Sequence, residues 1–273
     1  MKWDSDSPPP CPIIRRADWP RVIGRGMVLV VLVFGGLIVK QALRLIERPV
    51  FGLRRPVTPY ITQSVCRAAL VVIGLRLHIT GQPLQARGAL VANHASWLDI
   101  FALNAAARMF FVAKADIAGW PGIGWLARAT GTVFIRRNRR DAARQKLLFE
   151  ARLRAGHRLL FFPEGTSSDG LQVLPFKSTL FEAFFAPELR DFMNIQPVSI
   201  CYHVPQGQDA RLYGWWGDMD FARHFLRVLA QPRQGRIDLV FHTPMQVSEW
   251  SDRKALAQAC EDAVRAGCAT PPA

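Results

Sequence analysis

The chain has 273 residues, 50% of them hydrophobic and 21% charged, enough for one sizeable core plus an appendage, which excludes a disordered or fibrous protein. Its 35 Lys and Arg outweigh 21 Asp and Glu for a formal charge of +14, so a polyanionic neighbour is implied, either nucleic acid or an anionic bilayer. No helix-turn-helix, zinc-finger or aromatic RNA-binding signature is present, and the apolar N-terminus points to the bilayer rather than to nucleic acid. The cysteines, Cys11, Cys66, Cys201, Cys260 and Cys268, are odd in number and scattered. They read as free thiols in a reducing compartment, with neither a disulfide framework nor a metal site.

Residues 1–20 carry Pro8, Pro9, Pro10, Pro12 and Pro20 and are expected to form a flexible tail. Residues 21–80 then read as membrane-associating helices. The apolar run from Gly26 to Val39, bounded by Arg25 and Lys40, is shorter than the roughly 20 residues a spanning helix needs, unless Lys40 and Arg44 snorkel and the helix continues to about Ile46. Spanning, half-inserted and surface-lying helices all stay open. No small-residue cleavage site follows the run, which argues against a signal peptide. A second apolar segment, Val65 to Leu77, follows the breaker Arg54-Arg55-Pro56, so two helices joined by a basic linker would form a hairpin. The competing reading makes them core helices of the main domain.

From residue 81 to the end, strand-like apolar runs alternate with helical stretches. The runs lie at Ala89 to Ala92, Phe110 to Ala113, Thr132 to Ile135, Arg158 to Phe162, Ile195 to Tyr202 and Arg236 to His242. The clearest helix, Asp141 to Ala155, has an acidic start, apolar Leu147, Leu148, Ala151 and Leu153, and Gly156 as its stop. Such alternation predicts a single α/β sandwich domain with a mixed central sheet.

Chemistry concentrates at the ends of these runs. Asn93-His94-Ala95-Ser96-Trp97-Leu98-Asp99 follows the run ending at Ala92. If that run is a strand, Ser96 can cap a helix that carries Asp99 in its first turn, and the carboxylate folds back toward the imidazole. A carboxylate on one ring nitrogen fixes the tautomer and leaves the other as a general base. Gly131-Thr132-Val133-Phe134-Ile135-Arg136-Arg137 is a short apolar strand ending in cations. In Phe161-Phe162-Pro163-Glu164-Gly165-Thr166 a strand breaks at Pro163, and Gly165 tolerates positive φ, so Glu164 is displayed on a sharp turn. Pro197 and Val198 sit in a further apolar strand.

In this order and spacing the four segments resemble the blocks of the lysophospholipid acyltransferase family, whose best-known members are the 1-acylglycerol-3-phosphate acyltransferases. Asn93, His94, Ser96 and Asp99 match the first block, Ile135 and Arg137 the second, Phe162 to Thr166 the third, and Pro197 with Val198 the fourth. Arg136 departs from the acidic or small residue usual in the second. The resemblance spans roughly residues 75 to 245. It implies O-acyl transfer from an acyl thioester, of acyl-carrier protein or coenzyme A, to a lyso-lipid hydroxyl, with no other cofactor.

His94 would be the base and Asp99 its orienting partner. Arg137 would hold the acceptor's phosphate, with Arg136, Arg139 and Arg140 as a broader basic patch, and Glu164, Gly165 and Thr166 would help bind the acceptor. Some members carry an N-terminal two-helix motif that docks on one leaflet, so the expected place is the cytoplasmic face of the inner cell membrane. The first-choice acceptor is 1-acylglycerol-3-phosphate in phospholipid biosynthesis. The alternative is a lyso-ornithine lipid, with which Arg136 and the Trp215-Trp216 segment are compatible. A Ser96 nucleophile would make a lipase or thioesterase, but its two-residue spacing from His94 is awkward and no Gly-x-Ser-x-Gly elbow is present. A non-enzymatic membrane-binding protein would leave the four blocks unexplained.

Overall fold

The computed structural model describes residues 3–5, 14–86, 88–120, 122–135 and 142–269. Helix α1 (Trp19–Phe51) passes through the apolar run and continues beyond Lys40 and Arg44. It does so because its polar side chains find partners. Lys40 Nζ donates to Thr62 Oγ1 at 2.6 Å, while Arg44 reaches Glu47 at 3.2 Å and the carbonyl of Gly52 at 2.8 Å. Gly52, at φ 59°, ends the helix. Glu47 in turn accepts from the backbone N–H of Val57 and Thr58 and from the Thr58 hydroxyl, closing the start of α2 (Thr58–Ile73). The expected hairpin therefore forms, and at Gly36 the two helices are so close that a Cβ would overlap Val65.

Two expectations for this region need correction. Helix α2 stops at Gly74, φ 93°, and the end of the Val65 to Leu77 segment belongs to strand β1 (Arg76–Thr80). The sheet thus begins at Arg76, ahead of the expected boundary at 81. Nor are all of residues 1–20 a free tail. Residues 14–20 enter a 3-10 turn and α1, and Trp3 packs edge-on against Trp216 at 6.4 Å; residues 6–13 lie outside the described part.

The remaining elements are β2 (Gly88–Ala92), α3 (Leu98–Ala106), β3 (Phe110–Lys114), α4 (Ile123–Thr130), β4 (Val133–Ile135), α5 (Ala142–Arg154), β5 (Leu159–Phe161), α6 (Pro187–Arg190), β6 (Asn194–His203), α7 (Phe221–Ala230), β7 (Arg236–Phe241), β8 (Met245–Gln246) and α8 (Arg253–Ala269). All six expected strands are present. They build one mixed sheet in the order β1-β7-β6-β2-β5-β3-β4, with β8 on β6. Every pair is parallel except β6 with β7 and with β8.

Strand β2 lies at the centre and is buried on both faces, which is why its sequence is a continuous apolar run rather than an alternating one. Leu90 and Ala92 join a core with α1, α2, α3 and α7. Ala89 and Val91 join the opposite core with α5 and α8. On α5 the inward face is Phe149 and Leu153, whereas Leu147 is 66% exposed and Leu148 also faces outward, contrary to expectation. The thiol expectation also fails in part. Cys201 on β6 and Cys268 on α8 form a disulfide, Cα to Cα 5.6 Å, whose sequence separation of 67 hid the pairing. Cys66 and Cys260 are buried free thiols, and Cys11 lies outside the described residues.

Candidate active site

His94 stands in the loop that leaves β2 at its C-terminal end, in the middle of the sheet. Its Nδ1 is 2.7 Å from Asp99 Oδ2 in the first turn of α3. The same carboxylate oxygen accepts from the backbone N–H of Ala95 at 2.9 Å and of Ser96 at 3.0 Å. Asp99 is fully buried, so an Nδ1–H donor and two N–H groups replace its lost water. The ring stacks on Phe162, 4.0 Å between centroids and 13° between planes, which leaves its Nε2 for an incoming group.

The loop is held at almost every polar backbone atom. The Asn93 amide donates to the Ile200 carbonyl at 2.9 Å and accepts from the Ile200 N–H at 2.8 Å, pinning the end of β2 to β6. The His94 N–H donates to Glu164 Oε2 at 3.1 Å, and the His94 carbonyl accepts from the Ser168 N–H at 2.9 Å. The Ala95 carbonyl accepts from the Trp215 N–H at 2.8 Å. Such restraint fixes the imidazole before any substrate arrives.

Glu164 is only 2% exposed and its other oxygen accepts from the Leu174 N–H at 3.0 Å. In place of the expected contact with acceptor, its carboxyl clamps the His94 loop to the 164–174 loop from behind. The displayed residues of that turn are Gly165, at φ 72°, and Thr166, which line the cavity in front of His94. Burial, together with the Asp99 carboxylate, pushes Glu164 up to about 8 against the pull of its two N–H donors. A carboxyl whose folded pKa lies above its unfolded one holds more protons when folded, so folding stability falls as pH rises through the window up to about 8. Glu164→Gln is expected to remove that decline, so that denaturation midpoints of variant and wild type diverge steadily over the window. Parallel midpoints would sink this assignment.

One member of the site carried no local sequence signal. Tyr202, on β6, donates its hydroxyl to Asp99 Oδ1 at 2.5 Å across a separation of 103 residues. Burial and the Asp99 charge raise its own pKa well above the ordinary range, so it stays a donor. Tyr202→Phe leaves Asp99 Oδ1 buried without that donor, at a cost of about 1–3 kcal/mol in stability. Turnover is expected to fall about tenfold with little change in KM, as for a group that positions rather than binds. An unchanged kcat would remove Tyr202 from the site.

Ser96 is fully buried and absent from the cavity wall; its Oγ accepts from the Leu98 N–H at 3.3 Å. A nucleophile has to reach substrate, so the hydrolase reading loses its key residue. Arg137, with Arg136, Arg139 and Arg140, lies outside the described residues.

In front of His94 opens a cavity of about 720 Å³. Its wall is aromatic and aliphatic, including Trp97, Phe101, Phe225 and, from the inner flank of α1, Leu29, Phe34 and Leu37. Both adjacent tryptophans line the cavity, Trp216 from the core and Trp215 with Trp120 edge-on at 6.3 Å. A cavity of this size and polarity takes a long apolar chain, not a sugar or a nucleotide.

An oriented imidazole at the head of a chain-sized apolar cavity, on a mixed α/β sheet, defines an enzyme that transfers acyl groups among lipids. The Acyltransferase family model matches residues 76–201. The lyso-ornithine lipid O-acyltransferase of Rhodobacter capsulatus is 54% identical over 97% of this chain and 96% of its own length. The 1-acyl-sn-glycerol-3-phosphate acyltransferase of Neisseria gonorrhoeae is 32% identical over 73% of this chain and 77% of its own. The crystal structure of the 1-acyl-sn-glycerophosphate acyltransferase PlsC from Thermotoga maritima shares the fold, with TM-score 0.65 at 20% identity over 93% of this chain and 96% of that one. This chain belongs to the acyltransferase family, and it is an enzyme that acylates a lyso-lipid acceptor.

Proposed function

We propose that the chain moves a fatty acyl group from an acyl thioester to the hydroxyl of a lyso-ornithine lipid. The observation that carries the choice of acceptor is the 54% identity to the Rhodobacter capsulatus enzyme over nearly the whole of both chains. A feature of the site agrees with it. Asp116, exposed on the turn after β3, lines the cavity together with the Trp120 and Trp215 rings and gives the ammonium group of an ornithine head a carboxylate and aromatic faces to meet, on a wall that also carries Lys40, Arg108 and Lys114.

In the reaction, His94 Nε2 takes the proton of the acceptor hydroxyl as its oxygen attacks the thioester carbonyl. Asp99 holds the Nδ1–H and stabilises the imidazolium. The carbon–sulfur bond then breaks, and the thiolate recovers the proton from His94, leaving ester and free thiol. A thioester is reactive enough that no acyl-enzyme is needed. The Gly165 N–H is occupied by the Phe162 carbonyl, so we assign the oxyanion donors to the next N–H groups along the chain, those of Thr166 and Ser167, two residues that line the cavity.

The donor is a thioester of acyl-carrier protein or coenzyme A, both polyanionic and matched to the +14 chain. Helix α1 packs its stripe of Val22, Leu29 and Leu37 on the domain along much of its length and leaves Met27, Val31 and Ile38 exposed. A helix fixed sideways to a water-facing domain lies in the membrane interface rather than crossing it. We place that interface on the cytoplasmic side, where acyl thioesters are available. The catalytic domain then runs from Arg76, with α1 and α2 as its membrane-facing part.

The test is purified enzyme in micelles with acyl-carrier protein or coenzyme A thioesters and a panel of lyso-lipids. Lyso-ornithine lipid is expected to exceed lysophosphatidic acid at least about tenfold in kcat/KM, which corresponds to about 1.4 kcal/mol. The reverse order overturns the acceptor, and net hydrolysis without acyl-lipid overturns the transfer.

A further inference from the structure

The catalytic cavity has a polar counterpart at the opposite, N-terminal edge of β3 and β5. There the α1–α2 linker, the start of β3 and the α5–β5 turn enclose a second cavity of about 380 Å³, with Arg54, Arg55, Arg108, His157 and Arg158 in its wall and no carboxylate. Arg55 and Arg152 lie over the Phe110 ring at 5.5 and 4.8 Å. The nearest acid on the linker side, Glu47, is consumed by Thr58, Val57 and Arg44.

These cations face one another with little acidic compensation. His157 is 5% exposed and its polar contact is with the Leu53 backbone, Arg152 behind the wall spends Nη2 on the Gly131 carbonyl, and Nε of Arg55 and of Arg152 is buried with no partner among the described residues. Burial, with the neighbouring arginines, depresses His157 to about 3 and Arg152 to about 10. Four guanidiniums around one cavity with no carboxylate in its wall are a cluster of like charges that an anion would relieve.

We propose that this cavity binds the phosphate of an anionic membrane-lipid headgroup, held by Arg54, Arg55, Arg108 and Arg158. A headgroup there would lay its chains against the exposed apolar surface that borders the cavity, formed by Val50, Phe51, Leu53 and Val57. A free phosphate would gain nothing from that surface, which is the argument for the lipid. The site adjoins the acyl-transfer site without His94 in its wall, and Pro59, Arg108 and Phe110 stand in both walls. It rests on the membrane reading of α1 given above.

The test uses the full chain in neutral detergent micelles, with thermal unfolding as readout. Doping with phosphatidylglycerol is expected to raise Tm by about 5–10 °C at a hundredfold excess over Kd, and phosphatidylcholine or inorganic phosphate by much less. Arg108→Gln should lose the shift while its Tm without anion stays close to that of wild type, because the relief of a repelling charge offsets the loss of its stacking on Tyr60 at 4.0 Å. The double variant R54Q/R158Q, at an exposed and a half-buried arginine, gives the same reading if Arg108→Gln fails to fold. A full shift with inorganic phosphate overturns the headgroup, and equal shifts in wild type and variants overturn the site. The double variant V31E/I38E, which should fail to bind vesicles, is expected to keep the micellar shift, so failure of membrane docking and failure of this site are told apart.

Discussion

Replacing His94 by Ala is expected to abolish transfer, and Asp99→Asn to lower kcat by about 10³–10⁴ while both proteins keep their fold. The first removes the only imidazole among the described residues that line the reaction cavity. The second is more telling. An Asn side chain can turn its NH₂ toward Nδ1, which forces the proton to Nε2 and leaves no lone pair for the acceptor hydroxyl. It also puts a donor where Oδ2 now accepts from Ala95 and Ser96, so the loop itself is disturbed. Single-turnover rates with saturating acceptor, alongside near-ultraviolet dichroism for the fold, measure both effects. Substantial transfer by a folded His94→Ala protein would end the mechanism described here. Ser96→Ala should keep most of its activity.

The second large effect is expected at α1. Val31 and Ile38 are 71% and 69% exposed on a helix whose most apolar window has a mean hydropathy of 2.5 and is only 17% buried. A patch of that kind on a protein surface marks a membrane or partner contact. Val31→Glu with Ile38→Glu would carry two charges into the apolar layer at about 1–3 kcal/mol each, which lowers vesicle partitioning at least about thirtyfold. Neither side chain packs on the domain, so unfolding in detergent should move by less than about 0.5 kcal/mol. High salt alone should detach the wild type only partly, since screening acts on the basic residues and not on the apolar flank. Vesicle co-sedimentation decides, and undiminished binding of the double variant would move the contact elsewhere. Deleting residues 1–48 is a poorer experiment, because it strips Val22, Leu29 and Leu37 from the core.

The His94–Asp99 pair was legible because it is local: the two residues lie within one loop and one helical turn, and the strand before them is apolar on both faces. The same burial made β5 and β6 readable, and Pro163 and Gly165 marked the turn between Phe162 and Thr166. Legibility failed where partners are distant. Nothing near Tyr202 announces Asp99, and Cys201 carries no mark of Cys268. Strand β1 was absorbed into the helix before it, since Leu75 and Leu77 continue the apolar run of α2 and only Gly74 separates the two elements. The Leu147-Leu148 pair misled for another reason: α5 turns Phe149 and Leu153 inward, and helical spacing alone does not say which of two apolar stripes meets the sheet. Glu164 was correctly placed at a strand end, but its depth behind the loop depends on the 164–174 chain folding over it.

Only Gly74 and Leu75 stand between α2 and β1, and β1 pairs along its whole length with β7. The sheet therefore has no swivel relative to the hairpin that meets the bilayer. An enzyme tethered through a long flexible linker would sample many attitudes above the surface, and most collisions with a substrate would find its cleft turned away. On the proposed membrane reading, docking of the hairpin would set the heading of the cleft once, and every later encounter would be a search in two dimensions for a lipid that is already the right way up.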